Sequence, residues 1–151
     1  MPNRLRHLVA AIATAAVVVA CGQETAAPTD EASSFDADGA WFVTSYRVGD
    51  VEVTQGQNAM TVLDLNTETM ALEGAAGCGI FYGSFTFGAA ADPAFAGFTI
   101  PGRTESSCGD DARAEQELVI AALEGTTSFA EVGDSLELIG DDTSATLTAA
   151  S

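Results

Sequence analysis

From Trp41 onward the chain is a series of short segments in which apolar and polar residues alternate. Such alternation is typical of strands with one buried face, and the Gly, Asp and Asn residues between the segments favour turns. About eight short antiparallel strands with one helix among them indicate a small barrel or a strongly curved sheet. The predicted strands cover residues 41–48, 51–53, 61–65, 69–72, 80–87, 95–100, 128–132, 136–139 and 145–148.

Strict alternation predicts which side chains share a face. In the first strand it places Trp41, Val43 and Ser45 on one side and Phe42, Thr44 and Tyr46 on the other. The strand over 80–87 has the strongest pattern, with three phenylalanines on one side. The strand over 95–100 is expected to stop at Pro101-Gly102, because proline cannot donate to a sheet.

One helix is predicted over 109–123, a segment without internal proline or glycine after its first residue. Asp110 is expected to cap it, Asp111 suits its first turn, and Gly125 ends it shortly afterwards. Its first half is polar, whereas Leu118–Leu123 is apolar all round. That second half is expected to insert into a core.

The first 21 residues form an export signal rather than part of the fold. A positive start (Arg4, Arg6 and His7) precedes the apolar run 8–20, which is too short to cross a ~30 Å bilayer core as a helix. Val18-Val19-Ala20-Cys21 resembles the lipobox of bacterial lipoproteins. The resemblance implies a signal peptide over 1–20 and a lipid on Cys21, holding the protein to the cytoplasmic or outer membrane. The alternatives are a short transmembrane anchor or an uncleaved signal with Cys21 free.

Residues 21–39 have the composition of a tether. They are rich in Ala, Ser, Thr and Pro and carry five acids without a base, so that they should remain extended and solvated. Asp36-Ala-Asp38-Gly39 is similar to part of a calcium loop, but the remaining ligand positions are missing. A solvated linker is the preferred interpretation, and the folded domain is expected to cover residues 40–151.

Charge and histidine content exclude several classes of function. The chain carries 22 acidic residues against five arginines, with a formal charge of −17 at pH 7; it has no lysine. Removal of residues 1–20 leaves three arginines against 22 acids, a formal −19, and no histidine. Nucleic-acid binding is therefore not expected, and neither is histidine-based catalysis or a histidine-containing zinc site.

Cys78 and Cys108 remain as an even pair once Cys21 is lipidated. In an exported chain such a pair predicts a structural disulfide across 30 residues. A redox-active or metal-binding pair is the alternative. It is weaker because two thiolates without histidine supply half a zinc site and no Cys-x-x-Cys is present.

An ordered set of motifs between Trp41 and about Thr148 resembles the META-domain family, which includes the HslJ-like lipoproteins. The matching segments are Trp41-Phe42-Val43, Gly74–Gly79 before an aromatic strand, Thr104–Cys108, the helix through Leu123, and Phe129 with Gly133-Asp134 and Leu136-Glu137-Leu138. Two positions depart from the pattern: Gly79 replaces the family's asparagine, and Ser106-Ser107 replace Met-Ala.

The resemblance implies a mainly β fold, a small antiparallel lipocalin-like β-barrel with one α-helix packed across it, paired cysteines and location in the cell envelope. It implies no biochemical activity, since family members are linked only loosely to stress tolerance, motility or virulence.

Two sharper hypotheses compete with structural explanations. Phe81, Phe85, Phe87, Phe95 and Phe98 could line a cavity for an apolar ligand, or simply fill the core. The acid pairs Glu115/Glu117 and Asp141/Asp142 could be proposed for glycoside hydrolysis, but neighbouring acids of this kind are usually solvated. Asp110-Asp111 fits helix N-terminal charge better than a metal site.

The sequence therefore predicts a monomeric, non-catalytic, lipid-anchored envelope protein with a binding or stress-tolerance role. No cofactor, metal or catalytic residue is expected. The alternatives are a carrier holding a small apolar ligand inside the barrel and an inhibitor or assembly factor that binds another envelope protein.

Overall fold

The computed structural model describes residues 36–55, 61–88, 94–104 and 107–150. The predicted signal peptide, Cys21 and the tether up to residue 35 lie outside these ranges. The elements, in chain order, are β1 (Gly39–Val48), β2 (Val51–Thr54), β3 (Val62–Asn66), β4 (Ala71–Ala76), β5 (Gly79–Gly88), β6 (Ala94–Arg103), α1 (Asp110–Glu124), β7 (Ser128–Val132), β8 (Ser135–Ile139) and β9 (Thr143–Ala149).

The strands form one antiparallel sheet that closes on itself. Consecutive strands pair with each other from β3 through to β9, and β1 pairs with both β3 and β9. The closing register runs from Trp41 opposite Ala149 to Val48 opposite Thr143. The eight strands other than β2 thus make a closed barrel, while β2 folds back on the second half of β1. This confirms the predicted small antiparallel barrel with one helix.

Alternation of buried and exposed side chains is clearest in β4 and β8, where Leu72 and Ala76, and Leu136 and Leu138, face inward. Successive side chains of a strand point to opposite faces, so that one apolar residue in two fills the interior. Leu63, Phe81, Phe85 and Leu147 are between 0% and 2% exposed and form the centre of this core.

β1 departs from strict alternation because it contains a β-bulge. Val43 pairs with Leu147 and Ser45 with Thr146, which leaves Thr44 as an extra residue. The bulge shifts the inward face by one position, so that Trp41, Val43 and Tyr46 are buried and Ser45 is not. The prediction that Tyr46 shares a face with Phe42 and Thr44 was wrong for this reason.

β6 continues through Pro101 to Arg103, and the predicted stop at Pro101-Gly102 was wrong. Tyr82 pairs with Gly102 and Ser84 with Thr99, so that a bulge containing Pro101 lies opposite Gly83. Proline is tolerated at a bulge because no ladder hydrogen bond is required of it there. A side chain at Gly83 would collide with the Thr99 carbonyl, which explains the glycine.

The turn before β4 also lies later than predicted. Met70 has a positive φ of 57° and belongs to the turn, so that the strand covers 71–76 rather than 69–72. The Asn66 side chain stabilises this turn by accepting hydrogen bonds from the backbone N–H and the hydroxyl of Thr69, at 2.9 Å and 2.8 Å. This is an Asx-type turn, in which the side chain takes the place of a backbone acceptor.

Helix α1 covers one end of the barrel. β4 and β8 run in the same direction, so that the turns following them lie at the same end. At the start of the helix, the Ala112 carbonyl lies so close to Gly77 that a Cβ there would collide with it. At the end of the helix, the C-cap residue Gly125 lies against Gly140. In the second half of α1, Val119, Ala122 and Leu123 are buried, as predicted for this apolar segment.

The N-cap of the helix lies one position earlier than predicted. Gly109 occupies the N-cap position, so that Asp110 is the first helical residue.

The start of the domain lies slightly before residue 40. Ala37 is 1% exposed and its carbonyl accepts a hydrogen bond from the Trp41 indole N–H at 2.9 Å. Asp38 Oδ1 accepts hydrogen bonds from the backbone N–H and hydroxyl of Thr67, at 2.9 Å and 3.2 Å. Residues 37–39 therefore belong to the folded barrel and attach it to the β3–β4 turn.

Two neighbouring residues of β8 test the inside-outside assignment. Leu138 is fully buried and Ile139 is 43% exposed, although the side chains have the same volume. We expect Leu138→Ala to lower the free energy of unfolding by about 2–5 kcal/mol, and Ile139→Ala on the order of 0.5 kcal/mol. Urea unfolding followed by circular dichroism measures both. Equal losses would contradict the assignment.

Candidate functional site

A disulfide joins Cys78 to Cys108, as predicted, with 5.7 Å between the two Cα atoms. Cys78 lies in the turn between β4 and β5, and Cys108 lies two residues before α1. The bond therefore attaches the N-terminal end of the helix to the barrel end that the helix covers. Since both sulfurs are in the bond, neither is a free thiolate for metal binding.

The phenylalanines proposed as a cavity lining divide into two groups. Phe81, Phe85 and Phe98 are buried, and Phe87 packs against them. Ring centroids lie 5.3 Å apart for Phe85 and Phe87 and 5.8 Å for Phe87 and Phe98, distances typical of aromatic packing. Phe95 instead is 50% exposed on the outer face, so its proposed place in the lining was wrong.

The acidic pairs suggested for glycoside hydrolysis are used elsewhere. Glu115 accepts a hydrogen bond from Gln55 Nε2 at 2.6 Å, whereas Glu117 is exposed and lies 3.9 Å from Arg103. Asp141 and Asp142 are exposed in the turn between β8 and β9. Glu115 and Glu117 therefore have different partners, and Asp141 and Asp142 are solvated acids of an exposed turn.

The acids considered for calcium or another metal form hydrogen bonds or ion pairs within the protein. Asp36 Oδ1 accepts the Asp38 N–H at 3.0 Å, and Asp38 Oδ1 accepts hydrogen bonds from Thr67 in the β3–β4 turn. Asp110 lies 3.7 Å from Arg113 in the first helical turn. Among the described residues, no three His, Cys, Asp or Glu side chains are grouped to hold a metal ion.

A polar cluster lies beneath the first half of α1, and the sequence did not indicate it. Tyr46 is 2% exposed and faces Gln55 and Glu115. Burial raises the pKa of the Tyr46 hydroxyl above its ordinary value of 10.0, and the negative charge of Glu115 raises it further; a hydrogen bond with Gln55 acts in the opposite direction. Gln116, the next residue of α1, is also only 2% exposed.

A recess lies on the outer face of the barrel, across β3 to β6. It is an open groove of about 740 Å³, which we call the β3–β6 groove. Its lining includes Asp64, Glu73, Tyr82 and Pro101, with the small residues Ala71, Gly83 and Ser84 between them. The groove exists because these outward positions carry small side chains next to one large aromatic ring.

Strand register brings three side chains of the groove, Asp64, Glu73 and Tyr82, into one row. Asp64 lies opposite Glu73, and Glu73 lies opposite Tyr82. All three are exposed, Tyr82 by 51%. The Tyr82 ring rests on Gly102, where a Cβ would collide with it. Sequence reasoning missed this row because its members are nine residues apart and each reads as an ordinary outward position.

Comparison with known proteins identifies the fold and no more. No family model matches the chain, and neither does any curated protein. A crystal structure of a DUF4847 family protein from Bacteroides vulgatus ATCC 8482 is similar with a TM-score of 0.53 and 13% identity, covering 76% of this chain and 94% of that one. An NMR structure of a protein from Burkholderia xenovorans gives 0.57 and 20%, covering 76% and 83%.

At these identities the likeness concerns the barrel alone. The resemblance to META-domain lipoproteins stays a prediction. Within the described ranges, no helix has the length and apolar character needed to cross a membrane.

Removing the disulfide tests its role in holding the helix. We expect the double variant Cys78→Ala/Cys108→Ala to lose roughly 3–4 kcal/mol of unfolding free energy, because the bond restricts a loop of about 30 residues in the unfolded chain. Guanidinium unfolding of oxidised wild type and variant measures the loss. Stability unchanged by the substitution would contradict a structural role.

The buried tyrosine predicts a loss of stability at alkaline pH. A raised pKa in the folded state means that the folded protein binds the Tyr46 proton more tightly than the unfolded chain does. Stability from this group is therefore complete below pH 10 and falls as the pH rises towards the folded-state pKa. We expect Tyr46→Phe to reduce that fall, measured by urea unfolding across the alkaline range.

The protein has two tyrosines, which allows a direct check. In a Tyr82→Phe background, the ultraviolet absorbance of tyrosinate reports on Tyr46 alone. An apparent pKa at or below 10 would contradict the buried environment described here.

Proposed function

We propose that this protein is an exported, lipid-anchored, non-catalytic barrel that works by binding at its outer surface. The observation that carries the binding role is the contrast between a core packed with large side chains and an open groove on the outside. A barrel of eight strands can be filled by its own side chains or can hold one small ligand, and in this barrel buried leucines and phenylalanines fill the interior. The β3–β6 groove, which lies outside that core, is therefore the recess that we assign to a partner.

Export and anchoring are supported by two separate features. The lipobox-like segment ending at Cys21 places a modifiable cysteine directly after an apolar run. The Cys78–Cys108 disulfide is typical of compartments outside the reducing cytoplasm. An acylated Cys21 followed by an acidic tether would hold the barrel near a membrane surface of the envelope.

The absence of catalysis is supported by the chemistry of the side chains. The chain after Cys21 contains no histidine, the commonest general base at neutral pH. Asp64 and Glu73 are solvent-exposed carboxylates, whereas the acids and bases of most active sites lie in a cleft that partly buries them. The groove can therefore attract and orient a ligand without a residue suited to transform it.

Lipidation can be tested by replacing the cysteine that would carry it. We expect the wild-type chain, expressed in a bacterium and labelled with an alkyne-bearing fatty acid, to carry the label and sediment with membranes. Cys21→Ala should lose the label, because the only thiol outside the disulfide has been removed.

Cys78→Ala/Cys108→Ala serves as the matched control, since it removes cysteines but keeps Cys21. Label retained by Cys21→Ala would contradict lipid anchoring at that residue. Turnover of model esters, glycosides or peptides by the purified wild-type protein would separately contradict the non-catalytic role.

A further inference from the structure

Three buried polar atoms lie at the end of the barrel that α1 covers, and none of them has a hydrogen-bond partner among the described residues. They are Gln55 Oε1, Thr61 Oγ1 and Gln116 Nε2. Thr61 is fully buried and Gln116 nearly so. Buried donors and acceptors in folded proteins are almost always paired, because an unpaired one has given up its hydrogen bonds to solvent without replacement. The three atoms therefore indicate a partner that the side chains around them do not supply.

The bulge in β1 places Gln55 and Thr61 in the same region. The Thr44 carbonyl accepts the Gln55 N–H at 2.8 Å, and the Val43 N–H donates to the Thr61 carbonyl at 3.1 Å. Gln55 and Thr61 are thus attached to consecutive residues of one strand, at the point where that strand is irregular. Their unpartnered side-chain oxygens therefore belong to one part of the barrel end.

Helix α1 closes this region from the other side. Gln55 Nε2 donates to Glu115 Oε1 at 2.6 Å, and this contact fixes the orientation of the amide, because only its nitrogen end can donate to a carboxylate. Gln116, the next helical residue, lies on the buried face of α1 with Val119 and Leu123. The Gln116 amide therefore points into the barrel end from the same helical turn that contacts Gln55.

The three atoms require a partner that both donates and accepts hydrogen bonds. An amide oxygen only accepts, an amide N–H only donates, and a threonine hydroxyl does both. Water meets all of these requirements, and an internal water molecule typically forms about three hydrogen bonds to buried polar groups. The set at this end of the barrel matches water in the number and in the kind of its hydrogen bonds.

From this juxtaposition we infer that the protein binds internal water between the β1 bulge and α1, held by Gln55, Thr61 and Gln116. We call this place the internal water site. It lies inside the barrel and is separate from the β3–β6 groove, so that it adds a link between α1 and the strands to the one made by the disulfide. Thr143 Oγ1, which also lacks a partner among the described residues, lies against Gly125 and Gly140 and is not part of the site.

Other occupants fit the three atoms less well. A metal cation would be repelled by the Gln116 N–H, and an anion would be repelled by Gln55 Oε1 and by the Glu115 carboxylate beside it. An apolar molecule would leave all three atoms unpaired. An organic molecule with hydroxyl or amide groups could pair with them but needs more room, and Val43 and Val119, which are 1% exposed, belong to the packed core nearby.

Oxygen-17 magnetic relaxation dispersion of water tests the inference, because it counts water molecules that stay bound for longer than the protein takes to tumble. The sample is the full-length protein in non-ionic detergent. We expect Thr61→Val/Gln116→Leu to hold at least one such molecule fewer than wild type. Circular dichroism confirms that each variant is folded. An equal count in wild type and in this variant would overturn the inference.

The matched control is Thr126→Val, which removes another buried threonine hydroxyl. The Thr126 hydroxyl already donates to the Ala122 carbonyl at 3.0 Å, so that the substitution breaks a direct hydrogen bond within the protein. A wild-type count of bound water in this control supports the inference. A loss as large as that of Thr61→Val/Gln116→Leu would overturn it, because general loosening of the fold would then explain both results.

The sign of a stability change gives a second readout. If water pairs with Thr61, the nearly isosteric Thr61→Val should lower the urea midpoint of unfolding, since a hydrogen bond is lost. A higher midpoint would overturn the inference, because the hydroxyl would then have been buried without a partner. Native mass spectrometry that finds an organic molecule bound to wild type but not to Thr61→Val/Gln116→Leu would also overturn it. None of these measurements involves the β3–β6 groove or Cys21, so that the internal water site and the proposed function can fail separately.

Discussion

The interior width of an eight-stranded barrel is the constraint on which the rest of this structure depends. A closed sheet of this size has room either for its own side chains or for one small ligand, and here leucines and phenylalanines occupy the interior. The helix covers one end, where Val119 and Leu123 complete the core. With the inside committed to packing, the polar and aromatic groups available for recognition lie on the outer face and beneath the helix.

β6 and β7 pair over a short stretch, and the end of α1 supplies a hydrogen-bond acceptor to the part of β6 beyond it. β6 and β7 share only the pairs Ala94–Phe129 and Phe95–Ser128, which leaves the rest of β6 without a strand partner on that side. There the Glu124 carboxylate accepts the Ile100 N–H at 3.0 Å. The C-terminal residue of α1 thus accepts a hydrogen bond from the sheet, while the disulfide attaches the N-terminal end of the helix to the barrel.

The barrel, the helix and the disulfide followed from sequence because each depends on local or pairwise signals. Alternation identified the inward leucines of β8, and an even cysteine pair indicated Cys78–Cys108. Two of the errors have a common cause in strand irregularity. The bulge at Thr44 that turns Tyr46 inward, and the one that admits Pro101 to β6, depend on partner strands distant along the chain. The groove was missed likewise, since only register places Asp64, Glu73 and Tyr82 in one row.

The pairing of β1 with β9 determines when the barrel can close during folding. β1, the first strand of the domain, pairs with β2, β3 and β9, and β9 is available only after the last residues have been synthesised, so that the barrel cannot close before then. Pairs this distant in sequence carry a large loop-closure cost and form slowly. If the chain is exported from its N-terminus, as proposed above, this pairing would keep the barrel open until its last strand has crossed the membrane.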